Sequence, residues 1–198
     1  MTNSPFANTI HKIINEVYVD KNIIYLELGL NCGTNFNSLQ IDNKISVDIK
    51  FTQTKPTYLM STDDFFLQNK LKFNLIYIDA DHEYSQVIKD FNNSVDSIED
   101  DGIIFLHDLF PPDEYHTHPN FCYNSYKILN YLIQNNYDII INRDDFGACA
   151  VFNPKKIDIN NFEHGFSYNS LVSNYKNHES IYENYSDFLK KYKEKINE

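Results

Sequence analysis

Tryptophan is absent from this 198-residue chain and arginine nearly so, and 28 acidic side chains outnumber 17 basic ones to leave a formal net charge of −11. A nucleic-acid backbone is therefore not expected as the main partner, because phosphate binding draws on a basic surface and the lysines here are scattered. Long apolar runs are missing too. No segment approaches the roughly 20 apolar residues needed to cross a bilayer, so no membrane partner is expected. Met1 to Phe6 lacks the charged-then-apolar pattern of a secretory signal. Cysteine is scarce, and Cys32, Cys122 and Cys149 show neither metal-ligand spacing nor an even disulfide framework. Three reduced thiols in a cytoplasmic protein are the expectation.

What is present is enough for one packed α/β domain. Hydrophobic residues make up 42% of the chain, and its length leaves little room for a second core. The expectation is a single domain over 1–198, with a core of about 20–153 and a C-terminal helical extension over 154–198. Ala7 to Val19 reads as an amphipathic helix. The runs 23–28, 44–48, 57–60, 74–79 and 102–108 read as strands separated by helical segments, which implies a parallel sheet covered on both faces. A helix is expected from about Tyr123 to Gln134. The runs 137–142 and 147–152 are joined too tightly for a crossover and should form an antiparallel hairpin. In the tail, Ile181, Tyr185, Phe188, Tyr192 and Ile196 are spaced for one helix face, which would cover the sheet or form a homodimer contact.

In open α/β sheets ligands sit beyond the carboxyl ends of the strands. Here Glu27, Asp48, Asp79 and His107-Asp108 each close a strand, although buried strands have no structural need to end in acids. The first turn reads Glu-x-Gly-x-x-x-Gly. Gly29 permits a backbone conformation that a side chain would hinder, and Gly33 lets the chain pass close to a ligand. The dinucleotide pattern Gly-x-Gly-x-x-Gly is not met, since Asn31 stands in the middle position. That weakens a nicotinamide cofactor and favours a ligand without phosphate at this turn. Asp48, about 20 residues on, is placed to accept ribose hydroxyl hydrogens. Thr62 and Asp63 follow the third strand, where they can bind, cap a helix, or do both.

Three segments together resemble a known family: Tyr25-Leu26-Glu27-Leu28-Gly29-Leu30-Asn31-Cys32-Gly33, Ile78-Asp79-Ala80-Asp81-His82-Glu83-Tyr84 and Leu106-His107-Asp108. They are similar to the main motifs of class I methyltransferases that use S-adenosylmethionine (SAM), and more narrowly to the methyltransferase-24 type. Ser61-Thr62-Asp63-Asp64-Phe65-Phe66 and Asp144-Asp145-Phe146-Gly147 resemble further motifs of that type, so the likeness covers roughly residues 20 to 153. It implies a Rossmann-like, mostly parallel seven-stranded sheet with a terminal antiparallel hairpin. It also implies that Glu27, Gly29, Asn31 and Gly33 hold the methionine part of SAM, Asp48 the ribose, and Thr62 and Asp63 the adenine, with Asp79 completing the cofactor site.

Methyl transfer asks an enzyme mainly to position an acceptor and remove its proton. His82 and His107 are candidates for the base, with Asp108 beside them. Related catechol methyltransferases place an Asp after the fourth strand and an Asp-Asn pair after the fifth. Asp79 matches the first position, and His107-Asp108 replaces the pair, so Asp79, His107 and Asp108 are candidate ligands for a divalent ion such as Mg²⁺ or Mn²⁺. The competing reading is that Asp79 and Asp108 only orient SAM and a base. The loop from Leu109 to Tyr123 is expected to lid the acceptor pocket, with Phe110, Tyr115, Phe121 and Tyr123 available to stack on a ring. The resemblance implies O-methylation of a small polar acceptor such as a sugar or glycan unit. The rival readings are an NAD-dependent Rossmann enzyme and a SAM-binding module without catalysis.

Overall fold

The computed structural model describes residues 9–18 and 20–197. The expected features at Met1 to Phe6, and the ends of the first helix at Ala7 and Val19, lie outside the described residues. The chain runs α1 (Thr9–Val17), β1 (Tyr25–Leu28), α2 (Thr34–Ser38), β2 (Lys44–Asp48), β3 (Tyr58–Leu59), α3 (Thr62–Gln68), β4 (Phe73–Ile78), α4 (Tyr84–Ser97) and β5 (Ile98–Leu106). It continues through α5 (Tyr126–Gln134), β6 (Asp138–Asn142), β7 (Ala148–Phe152), α6 (Tyr168–Tyr175), β8 (Ile181–Tyr182) and α7 (Tyr185–Lys195). Among the described residues no helix is long and apolar enough to cross a membrane.

One sheet holds all the strands in the order β3-β2-β1-β4-β5-β7-β6-β8. β1 pairs in parallel with both β2 and β4, and β4 with β5, so the carboxyl ends of these strands lie along one edge. β6 and β7 form the expected antiparallel hairpin, and β7 is the member that pairs with β5. The seven-stranded expectation needs one correction. Ile181 and Tyr182 do not begin the tail helix but add an eighth strand, paired in parallel with β6. Asn184 caps the helix that follows by accepting from the Asp187 amide at 3.0 Å, which fixes the start of α7 after the strand.

Alternation along the strands divides the core into two layers. Leu26, Leu28, Ile76, Ile78, Ile104 and Leu106 face α3, α4 and α5, in the cluster that contains Phe65, Phe91 and Leu129. Tyr25, Leu75, Tyr77, Ile103 and Phe105 face the other way, together with Ile13 and Ile14 of α1 and Phe188 and Tyr192 of α7. The tail face is thus buried against the chain's own sheet. Tyr192 stacks on Phe105 at 5.8 Å between ring centres, and its hydroxyl lies 2.7 Å from that of Tyr18.

The C-terminal helix is therefore part of the core. Phe188→Ala is expected to lower stability by about 3–5 kcal/mol, the usual range for deleting a fully buried phenyl ring. Urea denaturation checks this. A loss below about 0.5 kcal/mol, as at surface positions, would show that the helix is not packed as described.

Candidate active site

The first turn is shaped by backbone geometry. Gly29 has φ of +90°, and a Cβ built there would stand 2.1 Å from the carbonyl oxygen of Asp79. Only glycine lets the chain leave β1 across the end of β4 so closely. Asn31 adopts φ of +49°, which asparagine tolerates better than most residues. Asp48 ties the turn down. Its Oδ2 accepts from the amides of Leu30 and Asn31, both at 2.9 Å, and its Oδ1 from Lys50 N at 2.8 Å.

Two cavities open beside this turn and share Gly29, Asp48, Ile49 and Ala80. The smaller, about 220 Å³, lies between β2, α3 and α4 and is lined by Val47, Met60, Thr62, Asp63, Gln86 and Asp90 among others. The larger, about 590 Å³, reaches Asn31, Asp79, His82, His107, Asp108, Phe121 and Phe146. Of the residues expected to contact a cofactor, Gly29, Asn31, Asp48, Thr62, Asp63 and Asp79 line one or both cavities. Glu27 and Gly33 line neither. A Cβ on Gly33 would stand 2.5 Å from Thr54 Oγ1, so this glycine accommodates a neighbouring loop of the protein.

Glu27 lies behind the turn, only 2% exposed. Its Oε2 accepts from the Tyr25 hydroxyl at 2.7 Å and from Asn35 Nδ2 at 2.6 Å. Burial pushes its pKa up to about 8, and these two hydrogen bonds only partly offset that. Asp90 behaves in the same direction: burial raises it to about 6 while Thr62 and Gln86 pull it back.

In the larger cavity, Asp79 from the end of β4, His82 from the turn that follows and Asp108 from the end of β5 converge. One ligand atom of each lies within 4.8 Å of the others. His82 Nδ1 donates to the Phe121 carbonyl, which leaves Nε2 facing Asp79 Oδ1 at 3.4 Å and Asp108 Oδ2 at 3.2 Å. A ring nitrogen fixed by a carbonyl in this way sets the tautomer and the direction of the other nitrogen. Burial works against charge on His82, but the neighbouring carboxylates dominate and lift its pKa to about 9.

His107, the other residue expected as a base and a metal ligand, also lines this cavity and faces the same two carboxylates. Its Nδ1 lies 3.5 Å from Asp79 Oδ1 and 3.3 Å from Asp108 Oδ1, and its Nε2 lies 3.4 Å from Asp145 Oδ1. Burial would lower its pKa, yet the charges of Asp108 and Asp79 raise it well above the ordinary value. The imidazole grouped with the two carboxylates in ligand geometry is that of His82. For Asp79, burial raises the pKa, but the two imidazoles outweigh it and hold the carboxyl below the usual range. Asp108 sits at φ of +61°, a strained conformation for a non-glycine residue that is concentrated at functional sites. The Ser125 hydroxyl holds it by donating to its carbonyl at 2.7 Å.

Several site residues have no motif to announce them. Gln86 and Asp90 are side chains of α4, and their only sequence signal is an acid at the helical spacing of Val87, Phe91 and Ser94, all of which are buried. Asp145 had only its place in the late hairpin. It holds His107 and also accepts the amide of Thr9 at 2.9 Å, so it ties α1 to the site.

Residues 43–109 match the family model of the methyltransferase-24 type, described as a methyltransferase domain. The fold is that of the class I methyltransferases. A Staphylococcus aureus structure described as a caffeoyl-CoA O-methyltransferase is 14% identical, with a TM-score of 0.56 over 74% of this chain and 83% of that one. An O-methyltransferase from Bacillus cereus, in complex with S-adenosylhomocysteine (SAH), is 11% identical, with a TM-score of 0.51 over 74% and 81% of the two chains. The MycE methyltransferase of mycinamycin biosynthesis, in complex with Mg and SAH, is 13% identical, with a TM-score of 0.50 over 76% of this chain and 51% of that one. No curated protein sequence matches the chain. In this class I methyltransferase fold the two cavities lie at the carboxyl edge of the parallel strands, where such sheets bind ligands.

Glu27 yields a prediction about pH. Its folded pKa of about 8 lies above an unfolded value near the ordinary 4.5. Its contribution to stability is therefore fully present below 4.5 and is lost progressively as pH rises to about 8. Glu27→Gln keeps an acceptor for Tyr25 and Asn35 and removes the buried charge. The variant is expected to melt above the wild type at pH 8, by an amount worth on the order of a few kcal/mol, with the difference vanishing near pH 4. Melting temperatures across that range check it, and a variant less stable at pH 8 than at pH 4 relative to wild type would refute it.

Proposed function

We propose that this protein is a SAM-dependent methyltransferase that methylates an oxygen of a small polar acceptor, such as a sugar or glycan unit. The observation that carries the reading is the pair of joined cavities. The smaller is an acid-rimmed slot of nucleoside size behind Gly29 and Asp48, and it opens into a chamber holding His82 between Asp79 and Asp108. The solved methyltransferases of this fold that hold SAH support the cofactor, and those described as O-methyltransferases support the acceptor atom.

When bound, SAM supplies a methyl group on a sulfonium, and transfer is an in-line displacement by the acceptor. The protein's part is to position and deprotonate. Asp48, already rigid through its three backbone amides, offers carboxylate lone pairs to ribose hydroxyls. Once the proton on His82 has left, the carboxylates of Asp79 and Asp108 favour a cationic sulfonium cofactor over its product, which lacks that charge. His82 is the base. Its proton is held by the two carboxylates, so positive charge entering the chamber competes with that proton and frees Nε2. Phe121 and Phe146 form an aromatic wall of the chamber on which a ring could stack.

The donor set of two carboxylates and an imidazole fits a divalent ion, with Mn²⁺ favoured over Mg²⁺ by the nitrogen ligand. Held by Asp79, His82 and Asp108, such an ion would occupy Nε2 and, in place of a free imidazole base, would lower the pKa of an acceptor hydroxyl.

Calorimetry tests the cofactor. SAM and SAH are expected to bind at one site per chain and NAD not at all, with Asp48→Ala weakening SAH by about 1.5–3 kcal/mol through lost charged hydrogen bonds. Binding of NAD in place of SAH would return the chain to the dinucleotide reading. Titration of Mn²⁺, followed by electron paramagnetic resonance, tests the ion. Asp108→Ala is expected to weaken Mn²⁺ by at least about tenfold. Wild-type protein that does not take up Mn²⁺ at millimolar concentration would leave His82 as a base acting without a metal.

A further inference from the structure

The smaller cavity has one wall that the turn motifs do not explain. α4 contributes Gln86 and Asp90 to it. Asp90 is 0% exposed, and its Oδ2 has no hydrogen-bond partner. Its Oδ1 accepts from Gln86 Nε2 at 3.1 Å, and that same nitrogen lies 3.4 Å from Thr62 Oγ1 and 3.3 Å from Asp63 Oδ1. An amide NH₂ has two hydrogens. Gln86 cannot satisfy all three contacts with two hydrogens, and each is at the long end of the hydrogen-bond range. The Thr62 hydroxyl adds one further donor near Asp90.

A buried carboxylate oxygen left without a donor is costly, and such groups in native proteins ask for an explanation. The remaining acids at this cavity, Asp48, Asp63 and Asp81, bring more acceptors and no donors when ionised. The other walls include Val47, Ile49, Met60 and Ala80, which suit the faces of a flat apolar ring. A ligand matching this slot has an apolar planar body and an edge that donates N–H.

We infer that Asp90 is the residue that reads the base of the nucleoside cofactor: its free carboxylate oxygen accepts the exocyclic amine of adenine, with Gln86 holding the carboxylate in place. This rests on the reading of the cavity as the cofactor's adenosine slot. A carboxylate attracts a 6-amino group and repels a 6-oxo group at the same position, so Asp90 sets a preference for an adenine over a hypoxanthine nucleoside.

The experiment compares SAH with S-inosylhomocysteine, which carries a carbonyl in place of the amine, by calorimetry on wild type, Asp90→Asn, Asp90→Ala and Asp63→Asn. Wild type is expected to prefer SAH by about tenfold or more, the value of one charged hydrogen bond. Asp90→Asn presents an amide donor and should bring the ratio to unity or reverse it. Asp90→Ala should bring it toward unity without reversal. Thermal melts establish that each variant is folded, and the wild-type comparison needs no variant. Equal binding of both ligands by wild type, or an unchanged ratio in folded Asp90→Asn, overturns the inference. So does a preference lost in Asp63→Asn alone, which would make Asp63 the reader. Wild type that binds neither ligand overturns the cofactor reading itself, and that failure shows before any variant is compared.

Discussion

The site depends on the contact between Gly29 and the backbone of Asp79. Parallel pairing of β1 with β4 ends both strands at the same edge, and the absence of a side chain at Gly29 lets the turn after β1 lie directly across the end of β4. With a Cβ in that position the turn would be pushed away from the sheet. Asp48 could then no longer hold the amides of Leu30 and Asn31, and the shared wall between the two cavities would be lost. The geometry of the smaller cavity and the placing of Asp79 are two consequences of one close approach.

Electrostatics then determines what the larger cavity can do. Asp79, Asp108 and Asp145 surround two imidazoles, and each imidazole is assigned by its other contacts. His107 has carboxylates against both ring nitrogens, which raise its pKa well above the ordinary value. His82 spends one nitrogen on a backbone carbonyl, so the second is turned toward Asp79 and Asp108. The same residue type, 25 positions apart in the chain, thus meets different partners: carboxylates at both nitrogens in one case, a carbonyl and carboxylates in the other. The strained backbone at Asp108 and the serine that holds its carbonyl show that the cluster is fixed by the surrounding fold, as a preorganised site requires.

The order of strands and helices, the edge at which the acids gather and the turn that needs glycine were all readable in the sequence, because each rests on local physics. Strand runs such as 74–79 show in their apolar continuity, the hairpin in the shortness of its turn, and the cap of α3 in Ser61, which accepts from Asp64 N at 3.0 Å. The choice between His82 and His107, the undersupplied carboxylate of Asp90 and the bridge from Asp145 to Thr9 were not readable. Each depends on a partner distant in the chain: Phe121 for His82, Thr62 and Asp63 for Asp90, and Thr9 for Asp145. The eighth strand escaped for a similar reason. Ile181 has the spacing of the helix face that follows it, and only the free edge of β6 draws it into the sheet. Periodicity and turn chemistry act over a few residues and so fix the elements. The direction of a side chain's lone pair, and which carboxylate lacks a donor, are fixed by contacts between elements, and these exist only once the sheet has assembled.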